Sequence, residues 1–138
     1  MPAVRLIVLL SVVIAAVLLW AALSSRTRRF RAGTAADLLP SPPGTRALVI
    51  AFTTPDCAPC RTAQKPALER LHLTHPHAVD VREVDATVDP ALAERFGILS
   101  VPSTVVIASN GRVVAINHTL AAAAKLTAQL GLNGVHPP

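Results

Sequence analysis

Cysteine is scarce in this sequence, and acidic residues are missing from one end of it. Two cysteines in 138 residues cannot build the disulfide framework of a small secreted scaffold, so they point to chemistry rather than to stapling. No Asp or Glu occurs before residue 32, whereas five arginines do: Arg5, Arg26, Arg28, Arg29 and Arg31. Beyond that point the remaining Lys and Arg match all 8 acidic residues in number, so the net charge of +5 belongs to the N-terminal segment alone. A neutral remainder counts against a basic nucleic-acid-binding domain, and no nucleic-acid partner is expected. With 51% apolar and 15% charged residues, the chain is not a disordered polyelectrolyte. Its length allows one domain, without a second core, and no internal repeat is visible.

What the N-terminal segment does have is an uncharged run from Leu6 to Leu23, LIVLLSVVIAAVLLWAAL. As a helix it reaches roughly 27 Å, close to the hydrocarbon thickness of a bilayer. Trp20, near its end, suits the lipid–water interface. A cleaved signal peptide is the rival. The run exceeds the usual h-region, however, and Ala22-Leu23-Ser24 is a weak cleavage site, so an uncleaved single-pass anchor in membrane lipid is expected over residues 1–25. Arg26, Arg28, Arg29 and Arg31 follow the span at once. The positive-inside rule then predicts that the C-terminal domain faces the cytoplasm, the extracytoplasmic orientation being the alternative.

Residues 26–45 read as a basic, Pro- and Gly-rich linker with at most one helical turn around Ala35–Leu39. A domain follows over residues 46–134. Ala47–Thr53 is a continuous apolar run, as in a strand buried on both faces. Cys60–Leu73 has helical spacing interrupted by Pro66, which predicts a kink or a late start. Val79–Val84 alternates as a strand. Asp89–Phe96 reads as a short helix with Asp89 as its cap and Pro90 in its first turn. Ser103–Ala108 and Arg112–Asn117 form a hairpin around Asn110-Gly111, and Leu120–Leu130 is a final helix. The order β-α-β-α-β-β-α is satisfied by a mixed α/β sheet of four strands with flanking helices.

Chemistry concentrates directly after the first strand, in Cys57-Ala58-Pro59-Cys60. Two cysteines separated by two residues at a helix start can close a small disulfide ring, and a strand-to-helix turn favours redox work. Cys57 at a helix N-terminus gains thiolate stabilisation from unsatisfied N–H groups and the dipole. Cys60, one turn further and more buried, suits the resolution of a mixed disulfide. Pro59 stiffens the ring and costs little in a first helical turn. Val101-Pro102, before the hairpin, is either a strand boundary or a cis proline that leaves the Val101 backbone free to pair with an extended substrate.

Together these features resemble the thioredoxin superfamily over about residues 46–131. The strand leading into Cys57-Ala58-Pro59-Cys60, Val84-Asp85, Phe96-Gly97-Ile98, Val101-Pro102, the Asn110-Gly111 hairpin and the final helix all carry the resemblance. It implies a thioredoxin-like fold trimmed at its N-terminus, since the family's first strand and helix have little room in the linker. It also implies that Cys57 attacks, Cys60 resolves and Pro102 is cis, with Val101 and Pro102 binding substrate and Ala58 and Pro59 supporting the motif. The sequence departs from the family at Asp56, where an aromatic residue usually stands. It departs again at Ala51, where an acid often lies beneath the cysteines, and at Pro66, one position later than typical. The interval from Cys60 to Asp85 has no room for the helical insertion of the periplasmic disulfide oxidases.

A zinc site is the sharpest competitor, because Cys57, Cys60, His72 and His77 nearly match a zinc-finger spacing. If Cys60 and His72 share one helix they stand about 18 Å apart, too far for one coordination sphere. His72, His75 and His77 read instead as a polar helix end and turn. A peroxiredoxin-like turn at Thr54-x-x-Cys57 lacks its preceding proline. The expected function is therefore a membrane-anchored thiol–disulfide oxidoreductase that reduces client disulfides without a metal or organic cofactor. Its partners would be client protein disulfides or thiols and an electron donor, either a reductase or a membrane partner. The alternative is a non-catalytic thioredoxin-fold binding module with a vestigial dithiol.

Overall fold

The computed structural model describes residues 1–31, 33–40 and 44–134, the side chains of residues 25–31 excepted. Helix α1 (Pro2–Arg31) contains one stretch, Pro2–Ser24, that is long and apolar enough to cross a membrane. Its large side chains, from Val4 to Leu23 and including Trp20, are exposed all round, as expected of a helix whose apolar surface is not meant for a protein core. The helix does not stop where the apolar run ends. After Pro2 no Gly or Pro occurs until Gly33 and arginine is a good helix former, so the backbone continues through the basic residues to Arg31. The side chains of Arg26, Arg28, Arg29 and Arg31 lie outside the described residues.

The domain has four strands, β1 (Ala47–Thr53), β2 (Val79–Asp85), β3 (Ser103–Ile107) and β4 (Val113–Asn117), in the spatial order β2-β1-β3-β4. β2 is parallel to β1, while β3 is antiparallel to both β1 and β4. The sheet is the expected mixed one, with β1 in its interior and buried on both faces through Phe52. On one face Val49, Ala51, Val79 and Val106 pack with Leu68 and Leu71 of α2 (Lys65–Thr74) and Leu126 of α4 (Ala123–Gln129). On the other, Leu48, Ile50, Phe52, Val105 and Ile107 meet Leu92, Ala93 and Phe96 around α3 (Pro90–Arg95). Asp89 caps α3 as its type and place predict, accepting a hydrogen bond from the Leu92 amide at 3.0 Å.

The helix after the cysteines has the late start expected from Pro66, whereas the final helix starts differently from expectation. Residues Cys60–Gln64 form one wide π-type turn, and regular α-helix begins only at Lys65 with Pro66 in its first turn, where proline's missing N–H is harmless. The final helix begins at Ala123 rather than Leu120. In a longer helix the Ala121 carbonyl would accept from the chain one turn on; instead the Gln64 side chain takes it at 3.0 Å and also accepts from the Ala121 amide at 2.9 Å.

The segment before β1 is not a free tether. The Ala35 amide donates to the Gly111 carbonyl at 2.7 Å, and the Val113 amide to Gly33 at 3.2 Å. Thr34 pairs with Arg112, Ala35 is fully buried, and a 3₁₀ turn follows at Ala36–Leu38. Asp37 closes the strap with a two-oxygen ion pair to Arg95, both contacts at 2.7 Å. Gly111 is required twice over at this junction. Its φ is +84°, and a Cβ there would stand 2.6 Å from the Ala36 Cβ. Residues 41–43, in the predicted linker, lie outside the described residues.

Candidate redox site

β1 delivers the chain to a turn, Thr54-Pro55-Asp56, in which the Cys57 amide donates to the Thr54 carbonyl at 3.1 Å. The helical turn through Ala58 and Pro59, with Pro59 at φ −64° and ψ −26°, then brings the cysteines together: their Cα atoms are 5.3 Å apart and their sulfurs are bonded. The Cys60 amide donates to Cys57 Sγ at 3.2 Å, and the Arg61 amide donates to the Cys57 carbonyl at 3.4 Å. An N–H aimed at the first sulfur is the contact that steadies a thiolate there once the bond is reduced. Arg61 also donates through its guanidinium to the Pro55 carbonyl, which holds the turn before the cysteines against the turn after them. Both cysteines are largely buried, 8% and 6% exposed, whereas Ala58 and Pro59 between them are open to solvent.

Val101 and Pro102 are joined by a cis peptide. β3 starts at the next residue, and the pairing Phe52↔Ser103 sets them at the end of the sheet where β1 runs out toward Cys57. The Val101 side chain packs against the cluster of Leu92 and Phe96. Among the described residues no hydrogen bond engages its backbone. Ser103 Oγ donates to Ser100 at 2.6 Å and fixes the turn. Thus Cys57 and Cys60 are bonded to each other, and Val101 and Pro102 share their end of the sheet. The histidines are elsewhere: His72 approaches the Val79 carbonyl with Nδ1 at 3.2 Å, and His75 is buried at the far end of α2.

Charged groups near this end of the sheet serve turns. Asp85 accepts from the amide and hydroxyl of Thr87 at 2.8 and 2.6 Å, contacts that hold its carboxyl below the usual carboxylate range. On the opposite flank the Arg95 guanidinium does the same for Asp37, and is itself raised by that carboxylate.

The residue that sequence reasoning missed is Gln64. It is 2% exposed and uses both ends of its amide on the Ala121 backbone, tying the cysteine turn to the segment before α4. A signal was present: Cys60, Gln64, Leu68 and Leu71 recur at helical spacing on one face, so a polar residue there needs a buried partner.

The sequence matches the Thioredoxin family over residues 42–131. The chain belongs to the thioredoxin family. It is 37% identical over 57 residues to NADPH-dependent thioredoxin reductase 3 of Arabidopsis thaliana, a match that takes in 41% of this chain but spans only 11% of that protein. Among solved structures it is similar to one described as a malarial protein, with a TM-score of 0.58 and 20% identity over 65% of this chain and 99% of the other. It is similar also to thioredoxin-2, described as a component of malaria parasite protein secretion machinery, with a TM-score of 0.58 and 19% identity over 64% of this chain and 84% of the other. At such identities these structures speak for the fold alone. The thioredoxin-like fold with its four-stranded mixed sheet and flanking helices thus follows both from the residues and from the family.

Proposed function

We propose that this protein is a membrane-anchored thiol–disulfide oxidoreductase that reduces disulfides in client proteins. Cys57 is the attacking residue and Cys60 the resolving one. The observation that carries this reading is the Cys60 amide directed at Cys57 Sγ across the bonded pair. It favours negative charge on one sulfur only, and so gives the two cysteines different tasks. In the reduced protein the Cys57 thiolate attacks a client disulfide and releases one client thiolate. Cys60 then displaces the second, leaving the cysteines bonded to each other. Two electrons pass from the dithiol to the client, and a reductase or a membrane partner returns them. The unengaged Val101 backbone beside Pro102 would pair with an extended client segment. α1 would serve as the anchor, and the arginines that follow its apolar stretch favour a cytoplasmic domain.

The test uses the full chain in detergent. The wild type is expected to reduce insulin disulfides, Cys57→Ser to abolish turnover, and Cys60→Ser to accumulate the mixed disulfide. Wild-type cellular function in the Cys57→Ser/Cys60→Ser double variant would overturn the enzyme reading and favour the binding module. For orientation, a membrane-impermeant thiol reagent applied to intact cells should leave Cys57 unlabelled; labelling from outside would reverse the assignment.

A further inference from the structure

We propose that Glu83 is the proton acceptor for Cys60 when the mixed disulfide is resolved, an inference that rests on the redox reading above. Cys60 can attack only as a thiolate, yet it is buried, so its proton must pass to a group within its own surroundings. The structure narrows the choice. Cys60 borders a cavity of about 10 Å³, bounded also by Ala51, Gln64, Lys65, Leu68 and Glu83. That volume is close to what a single water requires.

Strand register explains why Glu83 arrives there. Val79, Val81 and Glu83 share one face of β2; Val79 and Val81 pack under α2 with Leu68 and Leu71. Glu83 is the next position on that face, directly across from Ala51. Ala51 contributes only a methyl group, which leaves room for the carboxylate of the neighbouring strand to reach the cavity from its exposed edge. The other groups near Cys60 do not compete for this task. Gln64 has both amide ends committed to Ala121, and the hydroxyl of Thr53, which also lines the cavity, donates to the Thr54 carbonyl. Lys65, on α2, is a cation that favours the thiolate but has no lone pair with which to take its proton. Arg61 is bound to the Pro55 carbonyl, and Asp85, next on the same strand face, is committed to Thr87.

The step balances as follows. Cys60 gives its proton, directly or through one water, to the Glu83 carboxylate. Its thiolate attacks Cys57 Sγ, the Cys57–client bond breaks, and the client sulfur leaves with the electron pair and is protonated from solvent or from Glu83.

Dithiobis(nitrobenzoate) separates the two half-reactions on the reduced full chain in detergent. Attack by Cys57 releases the first coloured thiolate and resolution by Cys60 the second. Glu83→Gln should slow the second release at least about ten-fold, the lower end of what a positioned proton acceptor contributes. The first release should stay within about two-fold of wild type, on the ground that Cys57 has its own stabilising amide. Glu83→Asp should recover most of the second rate. A wild-type second release in Glu83→Gln, or equal slowing by Gln and Asp, would overturn the assignment. Failure of the wild type to show a Cys57-dependent first release would overturn the redox reading instead, so the two failures are distinguishable.

Discussion

Replacing Gln64 with leucine keeps the volume of the side chain and removes only its polar end. The Ala121 amide and carbonyl, now 2.9 and 3.0 Å from Gln64, would then be buried without partners, because Ala121 is fully covered. Each such group costs about 1–3 kcal/mol, and the apolar packing of the leucine side chain offsets part of that. A net loss of roughly 2–4 kcal/mol follows, or on the order of 10–25 °C in Tm for a domain of this size. Gln64→Glu sharpens the test. It keeps an oxygen for the Ala121 amide but turns the second oxygen on the Ala121 carbonyl, so its deficit grows as pH rises and the buried carboxyl is forced to ionise. The assay must not rely on tryptophan: Trp20 is the only one, tyrosine is absent, and Trp20 sits in α1, away from the unfolding unit. Urea titration followed by hydrogen exchange suits the protein better, since it reads the Ala121 amide directly. An unchanged midpoint with full protection of that amide in Gln64→Leu would refute the claim that the buried clamp stabilises the domain.

Gly111→Ala should destabilise by about 2–4 kcal/mol, combining the cost of a positive φ with an overlap that Ala36 cannot relieve. Gly44→Ala, at φ +95° with open space around it, should lose only the backbone part, about 1–2 kcal/mol; equal losses in the two urea midpoints would remove the packing argument. Asp89→Ala deletes the α3 cap and should cost about 1 kcal/mol in the same measurement. Asp37 and Asp85 are held below the ordinary carboxylate range when folded. Their contribution is therefore complete above that range and is lost as pH falls through their lowered values. For Asp37 this predicts acid release of the strap, seen as a loss of protection at the Ala35 and Val113 amides relative to their intrinsic exchange rates at each pH, and Asp37→Asn should abolish the pH dependence of that protection.

Much of this molecule is legible from residue order because its strands are short and each has a clear pattern, apolar throughout in β1 and alternating in β2. Ala47–Thr53 has the length and apolar run of an interior strand and forms one, and Asn110-Gly111 sets the hairpin whose glycine adopts positive φ. Cys57 and Cys60 announce themselves by spacing. What escapes is whatever depends on partners distant in sequence. Gln64 is 57 residues from Ala121, and nothing local says that a glutamine will displace the first turn of a later helix. Glu83 looks like one more charge on an alternating strand until register sets it across from Ala51. Residues 33–39 read as linker because their pairing with Gly111, Arg112 and Arg95 is entirely long-range.

The path of that strap has a consequence for the opposite side of the sheet. Chain that precedes β1 pairs beside the β3–β4 hairpin, so among the described residues β2 is left with no strand on its outer side. An unpaired edge is an aggregation risk that proteins commonly manage with charge. β2 follows that rule: Asp80, Arg82, Glu83 and Asp85 fall within its seven residues, and Asp80 is further tied to Arg46 at 2.9 Å. A strand paired along this edge would instead take up its free N–H and C=O groups and remove the need for those charges. The open edge of the sheet thus goes with charged residues along β2, and one of them, Glu83, borders the cavity at Cys60 where the buried thiol needs a base.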